Sequence, residues 1–273
     1  TTESIGNMSD NRRKAVVIFS GGMDSAAMLR MTQFSTNDVY ALTFDYGQRH
    51  KREIECAKTQ IEHATILGFN HSFEDTQIFH KVIDVSFLKE LAPTSSLTND
   101  NIDNPDVKDM VGEAQPVSYV PFRNQLFLSI ACSYAEAVGA GQVVYGATEV
   151  DSLAGYWDAS PEFKSRYQDL ISLNRKNEIA LMTPLLTYDK KAIVEYCANN
   201  NVSLANTYTC YSGDEIADAT TPSSSLRIKG FADAGYIDPQ PYKQDLTSFW
   251  EENNCKPYPD DPFLGMGGTR GLG

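Results

Sequence analysis

Residues 20–25, Ser20-Gly21-Gly22-Met23-Asp24-Ser25, carry the residue types and the order that phosphate chemistry needs. The adjacent glycines let the backbone enter conformations closed to other residues and approach a ligand closely. Ser20 and Ser25 add hydroxyl donors, and the Asp24 carboxylate can hold a metal on the phosphates or orient the loop. Gly-Gly after a strand also makes ordinary tight turns, with Asp or Ser as the helix cap. The full ordered string, placed after the first strand of the chain, favours phosphate binding.

Such a loop works only where a strand ends and a helix begins. The run Val16-Val17-Ile18-Phe19 predicts a strand over 15–19, and Ala26-Ala27-Met28-Leu29 predicts a helix from Ser25 to about Thr32. A helix opening there presents unpaired N–H groups and the positive end of its dipole to an anion. The loop is neither a Walker A sequence nor a dinucleotide Gly-x-Gly-x-x-Gly. It resembles the pyrophosphate loop of N-type ATP pyrophosphatases, which transfer AMP to a carbonyl or carboxyl oxygen and release pyrophosphate.

The rest of the chain predicts the frame. Val39–Phe44 reads as a second strand, 45–48 as a polar turn and Glu53–Gly68 as a long helix. This alternation is that of an α/β fold with a doubly wound parallel sheet and right-handed crossovers. Residues 93–118 read as a mobile or substrate-covering loop. A helix over 124–139, a strand over 142–146, a loop over 147–163, a helix from Phe163 to about Leu173 and a strand over 179–182 follow. Asp189 reads as the cap of a helix over 190–199. A short helix over 224–234 precedes a tail that wraps the domain or frays. Residues 1–14 read as a tail or an expression remnant, 15–200 as the α/β domain, and 201–273 as a small irregular C-terminal region.

At 273 residues, with 41% hydrophobic and 22% charged residues, the chain has a globular composition. A net charge of −13 disfavours nucleic-acid partners, because nonspecific binding to a polyanion draws on clustered Lys and Arg. Arg49-His50-Lys51-Arg52 reads as a solvated helix face or as a neighbour of the nucleotide. No apolar run reaches membrane-spanning length and no leader precedes one, so a cytoplasmic protein with no membrane association is expected. The five widely spaced cysteines fit a reducing compartment, with Cys56, Cys132 and Cys197 as small buried hydrophobes.

Further strings occur in a telling order: 42–50, Leu-Thr-Phe-Asp-Tyr-Gly-Gln-Arg-His; 119–124, Tyr-Val-Pro-Phe-Arg-Asn; Thr183-Pro184-Leu185 with Lys190; and Cys210-Tyr211. From about residue 15 to residue 242 they resemble the QueC family of 7-cyano-7-deazaguanine synthases, whose fold is adenine nucleotide alpha hydrolase-like and Rossmann-like. The family uses ATP to adenylate 7-carboxy-7-deazaguanine. Ammonia then displaces AMP to give an amide, and a second activation dehydrates it to the nitrile. The resemblance implies ATP with Mg²⁺, and contacts to ATP from Ser20, Gly21, Gly22, Asp24, Ser25, Phe44 and Gly146. It implies Asp24, Arg123 and Lys190 as catalytic, with Asp24 also the Mg²⁺ ligand. The ordinary alternatives are a structural ion pair for Arg123 and a surface helix position for Lys190. Substrate contacts fall on Tyr46, Gln48, Phe122, Arg123, Gly155, Tyr156, Asp158, Glu162 and Phe163. A homodimer is expected.

Two segments depart from the family. Its substrate loop runs Gly-Tyr-Pro-Asp-Cys-Arg-x-Glu-Phe, whereas here Trp157, Ala159 and Ser160 stand at the Pro, Cys and Arg positions. Its four zinc thiolates align with Cys210, Asp218, Thr221 and Ser224, which is not a zinc ligand set. No zinc is expected, and the segment should instead be held by side-chain hydrogen bonds. These losses favour adenylation followed by amide formation with another amine, such as a protein N-terminus, as in family members of antiviral gene clusters. The full nitrile synthase and an inactive nucleotide-binding subunit are the alternatives.

Overall fold

The computed structural model describes residues 13–47, 52–70, 76–95, 119–210 and 216–259, with the backbone alone for 66–70. The β-branched runs near the start fold as predicted into β1 (Lys14–Ile18) and β2 (Asp38–Asp45), joined by α1 (Met23–Gln33). After them come α2 (Arg52–Asn70), β3 (Gln77–Asp84), α3 (Leu88–Leu91), α4 (Arg123–Val138), β4 (Gln142–Val144), α5 (Glu149–Leu153), α6 (Pro161–Ile171), β5 (Ala180–Met182) and α7 (Lys190–Asn199). Five strands form one parallel sheet in the order β3-β2-β1-β4-β5, with Val16 opposite Tyr40 on one side and Val143 on the other.

Alternation along β1 divides the core into two layers, as a period of two requires. Ala15 and Val17 pack with Ala26 and Ala27 of α1, Ala57 and Ile61 of α2, and Ile193 and Val194 of α7. Val16 faces the opposite layer, with Phe127, Leu128 and Ala131 of α4 and Tyr167 of α6. The sheet is therefore doubly wound. Among the described residues no helix is long and apolar enough to cross a membrane.

Three differences from the sequence expectation have local causes. Strand β3 has no predicted counterpart: as an edge strand it is only partly covered, with Ile78 against one core layer and Ile83 against the other, and its polar residues hide the period. The loop expected over 147–163 contains α5 and a single 3₁₀ turn at Trp157–Ala159. The tail from Asp238 does not fray over its described part. There β6 (Tyr236–Ile237) pairs with β7 (Lys256–Pro257), α9 (Thr247–Glu252) buries Trp250, and the Tyr258 hydroxyl donates to the Val202 carbonyl at 2.9 Å. Gln48, Arg49, His50 and most of the loop expected over 93–118 lie outside the described residues.

Candidate active site

In an open parallel sheet a ligand crevice forms at the carboxyl ends of the strands where the winding reverses. Here that point lies between β1 and β4, which places Ser20 beside Gly146. Gly21 has φ +88°, and a Cβ there would lie 2.3 Å from the Glu53 carbonyl oxygen and 2.8 Å from the Ala57 nitrogen. Both the turn and the close approach of α2 thus demand glycine. The Gly21 N–H donates to Ser25 Oγ at 3.0 Å, and that hydroxyl donates to the Gly22 carbonyl at 2.9 Å. Gln60 Nε2 braces the loop from behind, donating to the carbonyls of Gly21 at 2.6 Å and Asn206 at 3.0 Å. Gly22 caps α1 without a side chain of its own, and its N–H donates to Ser20 Oγ at 3.3 Å.

Two open chambers meet in front of this loop. One, of about 210 Å³, lies between Ser20, Ser25, Phe44, Tyr46 and Glu53. The other, of about 220 Å³, lies between Tyr119, Asp151, Tyr156 and Asp158. Asp24, Arg123, Asn124, Tyr145 and Gly146 line both and form the wall between them. A group bound in either chamber therefore lies against these same five residues.

The wall carries charges of both signs, Lys190 and Arg123 among several carboxylates. Lys190, the first residue of α7, reaches Asp24 Oδ2 at 2.6 Å, while the helix is capped by Asp189 accepting from the Ala192 N–H at 2.8 Å. Burial alone would push the lysine down, but the carboxylates of Asp24 and Asp151 outweigh it and raise it, so the ammonium persists at neutral pH. Asp24 Oδ1 is buried and has no hydrogen-bond partner among the described residues, which leaves an acceptor for a cation. Asp151 accepts from the Thr148 hydroxyl at 2.7 Å, and burial raises its carboxyl, with Lys190 pulling it back. Arg123 donates from Nη1 to the Tyr46 hydroxyl at 3.4 Å and from Nε to Asn124 Oδ1 at 3.2 Å, with its guanidinium 5.2 Å from the Tyr46 ring centre.

Asp158 is 1% exposed, and its Oδ1 has no partner among the described residues. Burial raises its carboxyl, and Arg123 and the Asn124 amide lower it again. A buried acceptor aimed into a chamber suits the N–H edge of a flat heterocycle. Phe44 is stacked on Phe127 at 4.0 Å, which fixes the floor of the first chamber.

The structure thus gathers Ser20, Asp24, Ser25, Phe44, Tyr46, Arg123, Gly146, Tyr156 and Asp158 around one crevice, with Gly21 and Gly22 shaping its loop and Lys190 at its wall. Phe122, Gly155, Glu162 and Phe163 are not among the residues lining either chamber. Glu162 lies on the exposed side of α6, paired with Arg166 at 2.8 Å. Phe122, in the left-handed region with φ 53° and 61% exposed, and Phe163 both pack edge-on against Trp157, whose Nε1 donates to the Tyr119 hydroxyl at 2.8 Å. Ser160 caps α6 by accepting from the Phe163 N–H at 3.1 Å. Glu53, Tyr119, Asn124, Tyr145 and Asp151 line the chambers but are not among the residues that the sequence reading singles out. Thr148-x-x-Asp151 is a helix capping pattern and was the available signal for the last of them.

Burial pushes Glu53 up to about 7, with Arg123 pulling it down. A carboxyl raised on folding gives stability that is full below its ordinary value and lost as pH rises through about 7. Glu53→Gln should therefore stabilise the chain by about 2 kcal/mol more at pH 8 than at pH 5. Urea midpoints at the two pH values would read this difference, and equal gains at both would refute it.

The segment aligned with the family zinc site is a hydrogen-bonded cluster. Cys210 Sγ accepts from the Asp218 N–H at 3.3 Å and lies 3.7 Å from Thr221 Oγ1. The Thr221 hydroxyl donates to Ser224 Oγ at 2.9 Å, and Ser224 Oγ donates to the Thr209 carbonyl at 3.1 Å. Asp218 Oδ1 accepts from Thr220 and Gln244 instead of facing the sulfur. One thiol beside committed hydroxyls does not fit a tetrahedral zinc site.

The family model described as queuosine biosynthesis protein QueC matches residues 14–235. The chain is 38% identical over 230 residues to 7-cyano-7-deazaguanine synthase 1 of Colwellia psychrerythraea, covering 84% of this chain and 99% of the relative. It is 39% identical over 232 residues to the 7-cyano-7-deazaguanine synthase of Oceanobacillus iheyensis, covering 84% and 98%. Among solved structures it is similar to NMN synthetase from Francisella tularensis, with 14% identity, 90% and 88% coverage and a TM-score of 0.45.

Proposed function

The chain belongs to the QueC family, and from that premise we propose that it adenylates the carboxylate of 7-carboxy-7-deazaguanine with ATP and passes the acyl group to an amine. The observation that carries the reading is the wall shared by two chambers of similar size, where Arg123 and Asp24, the latter paired with Lys190, line both. ATP lies in the first chamber with its phosphates on Ser20–Ser25 and the start of α1. The bicyclic base lies in the second chamber, its N–H edge on Asp158 and its ring beside Tyr156. Its carboxylate then faces the wall.

A carboxylate oxygen attacks the α-phosphorus, the bond to the bridging oxygen breaks, and pyrophosphate leaves with the electron pair. Lys190 and Arg123 offset the negative charge that builds during transfer. The amine nitrogen next attacks the acyl carbon, the bond to the AMP oxygen breaks, and the amine loses a proton. Mg²⁺, held by Asp24 through its unpartnered oxygen, would neutralise phosphate charge when bound.

A second reading, the complete nitrile synthase using ammonia, is favoured by identity to named synthases along nearly their whole length. Against it stand Ser160, spent on capping α6 at the position of the family arginine, and the changed cysteine segment. Incubation with ATP, 7-carboxy-7-deazaguanine and ammonia, with AMP and base products followed by mass, decides between them. AMP without nitrile supports acyl transfer to another amine, for which a protein N-terminus, as in an antiviral system, is the acceptor to seek by intact mass. Nitrile supports the second reading, and no AMP refutes both. We further propose that the protein holds no zinc, so a zinc chelator should leave its melting temperature within about 1 °C. Stoichiometric zinc by metal analysis would overturn that.

A further inference from the structure

Helix α8 (Pro222–Asp233) crosses the first turn of α7 at Gly230. A Cβ on Gly230 would lie 2.5 Å from Lys190 Cβ and 3.1 and 3.2 Å from the Lys190 carbonyl carbon and oxygen. These atoms are the root of the lysine and its backbone, not the flexible end of its side chain. A methyl group there cannot be accommodated by a rotamer change, and one of the two helices must move.

Helix α8 is anchored ahead of the crossing. Its first turn is capped by Thr221, and Ser224 ties that turn to Thr209. One turn further on, Arg227 is fully buried. It donates to both oxygens of Asp238 at 2.7 and 2.9 Å, to the Thr207 hydroxyl at 2.7 Å and to the Leu204 carbonyl at 3.1 Å. A displacement of the start of α7 would be felt at the site. Lys190 reaches Asp24 from that end at 2.6 Å, so a shift of its backbone changes where the ammonium stands against the shared wall.

We propose that Gly230 is a positioning residue for Lys190: the missing side chain lets the anchored α8 set how far the start of α7 stands from Asp24. The inference rests on the reading that Lys190 serves AMP transfer. In turnover with ATP and 7-carboxy-7-deazaguanine, Gly230→Ala should lower kcat at least tenfold while both KM values stay within about threefold. In a Lys190→Ala background the same change should lower the residual rate less than twofold, because nothing remains to be positioned.

Equal losses from Gly230→Ala with and without Lys190 would overturn the proposal. So would a lowered melting temperature at unchanged kcat. A Gly230→Ala chain that does not fold would overturn it too, since the glycine would then serve the core alone. If the unmodified protein releases no AMP, the adenylation reading itself fails, and this inference with it. Active protein with an insensitive Gly230 fails here only.

Discussion

If Lys190 offsets charge that appears during transfer, as proposed, Lys190→Ala should lower kcat for AMP formation by about a thousandfold, with ATP binding weakened far less. A thousandfold corresponds to about 4 kcal/mol, within the range for one preorganised charge in a site shielded from water. The surroundings of the lysine suit that role, since its side chain is 15% exposed and lies 2.6 Å from Asp24, with Asp151 as a second carboxylate nearby. Because those carboxylates raise it against the effect of burial, the ammonium should remain through pH 9, and the rate should show no loss from its deprotonation below that. The sign is the same for stability. The pair contributes fully below the lysine's ordinary value and is lost only as pH rises through the raised one. Asp24→Asn should be nearly as damaging, since it leaves a half-buried ammonium beside a neutral amide. Quenched-flow measurement of AMP together with calorimetric ATP binding would separate the two effects. A drop below tenfold in Lys190→Ala would remove the lysine from the chemistry.

The parts of this site that were legible in the sequence are those where local chemistry leaves few choices. Val16–Phe19, Ser-Gly-Gly and the run Ala26–Leu29 read together as a strand end turning into a helix, and Gly21 meets that need with φ +88° against the α2 backbone. Asp189 as a cap is of the same kind, since its oxygen takes the Ala192 N–H. Residues whose role depends on distant packing were not legible. Asp151 enters the site because α5 forms where a loop was expected, and the Thr148 cap that starts α5 also aims the carboxylate at Lys190. Glu53 looks like one more charge on an amphipathic helix until the turn at Gly21 draws the start of α2 against the crevice. Conversely, Glu162 and Phe163 belong to a string that matches the family substrate loop. Yet α6 begins at Pro161 and turns Glu162 outward to Arg166, while Phe163 packs on Trp157. A matching string fixes the chain's path more firmly than the direction of each side chain.

Arg123→Lys tests whether the wall acts through charge or through shape. The guanidinium is held in one plane by three features: a donor to the Tyr46 hydroxyl, a donor to Asn124 and the face of the Tyr46 ring. Lysine keeps the charge but has neither the planar fork nor the stacking surface. If Arg123 aligns the carboxylate with the α-phosphorus, Arg123→Lys should lower kcat/KM for the deazaguanine acid by about a hundredfold, most of it in kcat. If charge alone mattered, the lysine variant would keep at least a third of the activity. Arg123→Ala supplies a second readout through Asp158. The arginine now draws the buried Asp158 carboxyl down against the effect of burial, so its removal should raise that carboxyl further. Provided the ionised form receives the N–H edge of the base, the acid limb of the kcat/KM profile should move to higher pH in Arg123→Ala. In Arg123→Lys the limb should move much less, even though the rate has fallen. Rate and acid limb would then separate, because alignment is lost in both variants and charge in only one. An acid limb that stays fixed in Arg123→Ala would mean that Asp158 does not receive the substrate in its ionised form.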